Sequence, residues 1–321
     1  MRVGQNPAKS IDRVAQAKRV TVAVVSYTPF LGGYYSQGLE VLKVCLKSIW
    51  DNTEQPYDLL VFDNASCLEV RAYLIEKRDE ELIQYLILSD KNVGKGAAWN
   101  FIFGAAPGEY LAYADSDVFF YPGWLSALMQ VMETFPEAGM VTGMPLLNPE
   151  EFSTNTVRWA QQKPEVRIER GQLLSWEDYW HHAGTLGVEE GKAREFYERH
   201  EAICLNYRGQ KYFVGAGHFQ FLARREVLLK VLPVPSERPM GQMRNLDIAI
   251  NKMGYLRLCT SQWWLEHMGN TPPKILKDTS DLQKAARPAL SHGKGGVWRW
   301  KPLRNLLIRM YNKSFDILYR N

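Results

Sequence analysis

Two hydrophobic periods take turns along this chain. Arg19 to Tyr27 (Arg-Val-Thr-Val-Ala-Val-Val-Ser-Tyr) is β-branched and almost continuously apolar, the pattern of a strand buried on both faces. Pro29, Gly32 and Gly33 end it, and Gln37 to Trp50 then sets Leu39, Leu42, Leu46 and Ile49 at helical spacing. Tyr57 to Phe62 predicts a second strand running into Asp63-Asn64, Leu68 to Lys77 a helix, and Ile83 to Leu88 a third strand. Lys95 to Ala105 predicts a helix opened by Gly94, and Tyr110 to Ala114 a fourth strand ending in Asp115-Ser116-Asp117. Pro122 to Phe135 predicts a helix with proline at its start, and Gly139 to Gly143 a fifth strand.

Strands alternating with helices predict an α/β fold around a mostly parallel sheet. Ligands of such sheets bind beyond the carboxyl ends of the strands. Three strands here end in polar groups: Ser26-Tyr27, Asp63-Asn64 and Asp115-Ser116-Asp117. After Pro149 the pattern changes. Residues 150–209 are charged and read as helical, with few strand signals, and include Trp159, Trp176, Trp180, His181 and His182. Tyr212 to Leu222 returns to strand, with Gly215 and Gly217 permitting close backbone approach. Asn245 to Lys252 predicts a helix closed by Gly254, and Tyr255 to Cys259 a strand.

Composition adds exclusions. Of 321 residues, 46% are apolar and 23% charged, which excludes a disordered chain and a collagen-like repeat. No apolar run reaches the ~20 residues that span a bilayer. The net charge of +4 is unevenly placed, with eleven Lys or Arg against three Asp or Glu from Thr271 to Asn321. A mildly acidic body with a basic tail excludes nucleic-acid binding across the whole surface and suggests an acidic partner at one end. Cys45, Cys67, Cys204 and Cys259 lie far apart, which excludes the common zinc and thioredoxin spacings. Isolated thiols and an N-terminus without a signal-peptide core predict a cytoplasmic protein.

Asp115 and Asp117 are two residues apart, so in an extended chain both carboxylates point to one side. There they repel unless a cation or proton lies between them, and a hard ion such as Mg2+ or Mn2+ would settle that. The plainer alternative is a solvated turn. The apolar strand before the pair and Phe119-Phe120-Tyr121 after it argue against that alternative.

In this order, the motifs resemble a family 2 glycosyltransferase with the GT-A fold. They are the first strand to Ser26-Tyr27, Val61-Phe62-Asp63-Asn64, Asn92-Val93-Gly94-Lys95-Gly96-Ala97-Ala98-Trp99-Asn100 and Tyr113-Ala114-Asp115-Ser116-Asp117. Gly215-Ala216-Gly217 and Glu266-His267-Met268-Gly269-Asn270 complete the set. The resemblance covers residues 19–146 and 211–270. It implies a nucleotide-sugar-binding half over 19–147, a helical insertion on the acceptor side over 148–210 and an acceptor and catalytic half over 211–270; polarity and charge make 1–18 an N-terminal arm and 271–321 a basic amphipathic extension.

Donor contacts are implied for Ser26, Tyr27, Asp63, Asn64, Asn92, Gly94, Lys95, Asn100, Asp115 and Ser116. Asp63 would accept from the nucleobase, whose imide tilts the expectation to UDP- or dTDP-sugars, and Lys95 would neutralise phosphate. Asn100 either binds or caps. Asp115, Asp117 and His267 would hold Mn2+ or Mg2+. Gly215, Ala216, His218 and Trp180 would face the acceptor. Asp247 is either the catalytic base or a charge at a helix start. Trp176, Trp180, His181 and His182 form either a sugar pocket or the insertion's own core.

The activity implied is sugar transfer from a nucleotide-diphosphate sugar to a hydroxyl on a carbohydrate, lipid-linked or protein acceptor, with inversion expected. Alternatives are a non-catalytic nucleotide-sugar-binding protein of the same fold and a haloacid dehalogenase-like phosphatase, whose motif Asp115-Ser116-Asp117-Val118 resembles. At the C-terminus Trp298, Trp300, Leu303, Leu306, Leu307 and Met310 interleave with Arg299, Lys301, Arg304 and Arg309. That pattern fits either peripheral contact with the inner face of a membrane or a helix docked on the domain.

Overall fold

The computed structural model describes residues 4, 6–11, 13–238 and 243–272. The basic extension from residue 273 on, with the pattern from Trp298 to Met310, lies outside the described residues. Among the described residues no helix is long and apolar enough to cross a membrane.

Twelve strands are described: β1 (Val20–Ser26), β2 (Tyr57–Asn64), β3 (Tyr85–Ser89), β4 (Tyr110–Asp115), β5 (Val118–Phe120), β6 (Ala138–Thr142), β7 (Arg167–Gly171), β8 (Ala202–Tyr207), β9 (Gln210–Val214), β10 (Gln220–Arg224), β11 (Leu256–Thr260) and β12 (Leu265–His267). Ten of them form one sheet in the order β3-β2-β1-β4-β10-β6-β11-β9-β8-β7, and β5 pairs with β12 in a small second sheet. The β3-β2-β1-β4 half is parallel. Strand β10 then enters antiparallel to both β4 and β6, and the remainder is mixed.

Helices cover both faces: α1 (Gly38–Asn52), α2 (Leu68–Asp79), α3 (Gly94–Ala105), α4 (Trp124–Thr134), α5 (Thr154–Gln161), α6 (Trp176–Thr185), α7 (Glu190–Arg199), α8 (Arg225–Lys230) and α9 (Arg244–Lys252). Strand β1 shows why two covered faces are needed. Its Val22 and Val24 join one core, with Leu42 and Leu46 of α1, while Ala23 between them joins the other, with Trp99 and Phe103 of α3. A period of two with both sets apolar can be satisfied only by burial on both sides.

Three elements depart from the expected pattern. The third strand starts at Tyr85 rather than Ile83, because β3 is an edge strand with Tyr85 and Leu88 exposed. The aromatic run after Asp117 is itself the strand β5. The segment expected to be a helical insertion contributes β7 and β8 to the main sheet as well as α5 to α7. Strand β8 turns into β9 through Arg208-Gly209, both at positive φ (50° and 77°), the backbone of a tight hairpin turn without the usual Asn-Gly signal.

Leu222 of β10 is fully buried, opposite Ala112 of β4 and Val141 of β6, at the point where the sheet changes direction. Leu222→Ala is expected to cost about 2–5 kcal/mol, the range for emptying a tightly packed core site. Urea denaturation should show the lowered midpoint, and a loss below ~1 kcal/mol would mean that the junction refills around the cavity.

Candidate active site

The parallel register sets Ser26 beside Asp63 and Val25 beside Asp115, so the polar strand ends share one edge of the sheet. Ser26 is fully buried and its hydroxyl has no partner. Asp63 is equally buried. Its Oδ2 accepts from Ser66 N (3.2 Å) and Arg71 Nε (3.1 Å), while Oδ1 has no partner. Burial raises the Asp63 carboxyl above its ordinary range, against the opposing pull of Ser66 and Arg71. Tyr27, half-exposed, meets the edge of Tyr35.

Asn64 and Asn92 clasp the loop that opens α3. Asn64 donates to Asn92 Oδ1 (2.9 Å) and accepts from Val93 N (2.8 Å), and Asn92 Oδ1 also accepts from Gly94 N (2.8 Å). Just beyond, a Cβ on Gly96 would stand 2.5 Å from the carbonyl oxygen of Pro235, so only glycine lets that loop approach. Asn100 uses its amide on the same loop, donating to Val234 O (3.0 Å) and accepting from Val234 N (2.7 Å). This tie to a loop is distinct from both the binding and the capping expected of Asn100.

The two aspartates of the Asp-Ser-Asp motif part company. Strand β4 stops at Asp115, and Ser116 and Asp117 form a turn into β5, so the extended geometry that would align the carboxylates ends between them. Asp115 accepts from Tyr113 Oη (2.5 Å) and Lys95 Nζ (2.6 Å). Asp115, expected as a metal ligand and donor contact, here pairs one oxygen with the Lys95 ammonium and the other with the Tyr113 hydroxyl. The Tyr113 hydroxyl, buried beside this carboxylate, is pushed well above the usual phenol range.

Asp117 faces His267. Strands β5 and β12 pair Val118 with His267, and Met268 N donates to Asp117 O (2.7 Å). This brings His267 Nε2 within 3.2 Å of Asp117 Oδ2, while Asp117 Oδ1 is buried without a partner. The Thr185 hydroxyl donates to His182 O (2.6 Å), so its oxygen is free to accept from His267 Nδ1–H (2.9 Å). In the neutral ring that tautomer turns the Nε2 lone pair toward the Asp117 carboxylate. Two electron-rich groups at this distance need a positive charge between or on them, a proton or a metal ion. Nitrogen plus carboxylate oxygen suits Mn2+. Among the described residues no three His, Cys, Asp or Glu side chains gather at metal-binding distance.

A cavity of about 510 Å³ opens beside these groups. Lys95, Asp115, Asp117 and His267 form one wall, Ala216 to Phe219 another, and Tyr179, His182 and Thr185 of α6 a third. Gly215 lies behind the wall at φ +118°, where a Cβ would strike the Asn148 side chain that lines it. His182 is pulled down to about 3, by burial first and by His267 next, so it lines the cavity as a neutral ring.

Two expected contacts are corrected. Trp180 does not line the cavity: half-buried, it stacks on Trp176 of the same helix (5.7 Å, 8° between planes). Its neighbour Tyr179 lines the cavity instead. Asp247 is only 1% exposed and lies behind the wall, with Oδ2 2.6 Å from His218 Nε2 and Oδ1 2.6 Å from Arg257 Nη2. Neither approach has hydrogen-bond alignment, and the one to Arg257 is a charge contact. Arg257 was missed by sequence reasoning, although a lone cation inside the buried strand Leu-Arg-Leu-Cys signals a hidden anion.

The family model for glycosyl transferase family 2 matches residues 34–225, and the chain belongs to that family. Among solved structures it is similar to the mannosyltransferase PcManGT from Pyrobaculum calidifontis in complex with GDP-Man and Mn2+, at 15% identity and a TM-score of 0.46, covering 82% of this chain and 58% of that one. It is also similar to residues 1–349 of S. aureus TarS in complex with UDP-GlcNAc, at 13% identity and a TM-score of 0.47, covering 80% of this chain and 62% of that one. The chain thus spans about three fifths of the length of these two structures. No curated protein matches it.

Asn100→Ala should loosen the Val234 loop and lower stability by about 1–3 kcal/mol, the cost of stranding a buried backbone group. The affinity for nucleoside diphosphates, measured by calorimetry, should stay within about twofold, because no donor contact is lost.

Proposed function

We propose that this family 2 glycosyltransferase moves a sugar from a nucleotide-diphosphate sugar, of UDP or dTDP type, to an acceptor hydroxyl with inversion at the anomeric carbon. The observation that carries the proposal is the Asp117–His267 pair on the cavity wall, a carboxylate oxygen and an imidazole nitrogen 3.2 Å apart. Asp117 and His267 would hold the divalent ion, leaving its remaining positions to water and diphosphate oxygens. Bound there, Mn2+ or Mg2+ would act as a Lewis acid on the departing diphosphate.

The chain's own groups divide the remaining work. Lys95 stands in the first turn of α3, whose N-terminal amides favour an anion, and its contact with Asp115 holds the ammonium at the cavity. Asp63, whose Oδ1 has no partner, is fully buried and does not line the cavity, so the UDP or dTDP preference rests on its place in the motif order. Phosphatase chemistry fits less well. Its nucleophile would be Asp115, whose oxygens are taken by Lys95 and Tyr113.

Purified protein with Mn2+ should release nucleoside diphosphate from one sugar in a panel of UDP-, dTDP- and GDP-sugars. EDTA should stop the release and added Mn2+ restore it. Asp117→Ala should lose roughly 10²–10³-fold in turnover, as expected when several kcal/mol of charge stabilisation disappear. Turnover in EDTA equal to that in Mn2+ would remove the metal from this scheme.

A further inference from the structure

We propose that His218, not Asp247, takes the proton from the attacking hydroxyl, and that Asp247 is its positioning residue. The inference rests on the sugar-transfer reading above. A base must reach the cavity, and Asp247 does not: its side chain is 1% exposed and lies behind the lining. Nor can it swing out. Its Oδ1 is held 2.6 Å from Arg257 Nη2, and that guanidinium is anchored by Phe152 O (2.7 Å), Ser153 Oγ (3.2 Å) and Ala216 O (2.8 Å).

His218 lies on the cavity wall with 23% of its side chain exposed. Its Nε2 stands 2.6 Å from Asp247 Oδ2 without hydrogen-bond alignment; the carboxylate's charge favours a hydrogen on the nearer nitrogen, and Nδ1 is then the nitrogen with a lone pair. The bond from Arg257 to Ala216 O fixes the backbone two residues before His218, so one buried cation sets both the carboxylate and the loop that carries the imidazole. The ring packs near Trp99 (6.3 Å between centroids), and Lys95 and Arg244 are the cations on the surrounding walls.

The step balances as a single displacement. The hydroxyl oxygen forms a bond to the anomeric carbon as the bond from that carbon to the diphosphate oxygen breaks. The electron pair leaves with the nucleoside diphosphate, and the hydroxyl proton passes to His218 Nδ1. The cavity offers one rival carboxylate, Asp178 on α6. Asp115 is tied to Lys95, and Asp117 faces His267.

Water can replace the acceptor in the test, so no acceptor need be known. The release of nucleoside diphosphate from the donor selected by the panel is measured with Mn2+ for the wild type, His218→Ala, Asp247→Asn and Asp178→Asn. His218→Ala should lose about 10²–10⁴-fold in kcat with donor KM within twofold, and millimolar imidazole should restore part of it. Asp247→Asn should lower kcat at least tenfold, also without moving KM. Asp178→Asn should stay within threefold. Thermal melting checks that each variant is folded, and His218→Gln, closer in volume, replaces an alanine variant that is not. A His218 variant within threefold of wild type, or the large loss appearing in Asp178→Asn instead, overturns the assignment while leaving sugar transfer intact. No turnover of any nucleotide sugar by the wild type overturns the parent reading, and this one with it.

Discussion

Arg257 is a full guanidinium inside the protein, 1% exposed, and much of the second half of the fold is arranged to tolerate it. Burial works against its charged form, and the Asp247 carboxylate works for it. A buried charge with no partner costs several kcal/mol, so the anion is an obligation rather than an ornament. Helix α9 supplies that anion, Phe152 and Ser153 supply two acceptors from the chain before α5, and Ala216 supplies a third from the loop between β9 and β10. Three separated stretches of chain are thereby fixed around one side chain. A well-packed apolar group of similar size would be as stable or more so, as is common for buried ion pairs. What an apolar replacement could not do is hold a carboxylate at His218.

The same logic separates the two aspartates at the end of β4. Side by side they would repel, and the turn at Ser116 sends them to different partners. Asp115 goes to a lysine and a phenol, Asp117 to an imidazole whose other nitrogen is tied to Thr185. Each carboxylate is compensated differently. The first is neutralised within the protein, while the second keeps one buried oxygen without a partner. That difference, rather than the motif as a string of letters, makes Asp117 the candidate ligand.

The parts of the fold that were legible in the sequence are those where one residue type has one reason to be present. Strands β1, β2 and β4 are buried on both faces, so their apolar runs are unbroken. Strands β3 and β7 lie at the two edges of the sheet, and Arg167-Ile-Glu-Arg-Gly carries no apolar run to read. Strand β8 does carry one, but its hairpin partner follows an Arg-Gly turn that lacks the usual residues. In the site, the strand-end polar groups and the Asp117–His267 pair follow from motif order. The role of Asp247 does not. Its burial is set by Arg257, ten residues on and on a different element, a tertiary fact that no local spacing contains. Trp180 differs for a smaller reason: on a helix a step of one residue turns the side chain by about 100°, which separates it from the cavity-lining Tyr179.

The imidazoles around the cavity illustrate how position decides chemistry for one residue type. His182 is buried against Phe219 and beside His267, and burial keeps it neutral. A second positive ring there would oppose any cation held by Asp117 and His267, so its neutrality preserves the wall's attraction for a metal ion. His181, one residue earlier, turns away to Glu266 at 3.3 Å. His267 has its Nδ1 hydrogen committed to Thr185 and its lone pair aimed at a carboxylate, the arrangement of a ligand. His218 has a carboxylate on Nε2 and the cavity on its other side, the arrangement of a base. In the proposed scheme the donor and acceptor functions fall to two histidines on different walls, His267 between Thr185 and Asp117 and His218 beside Asp247.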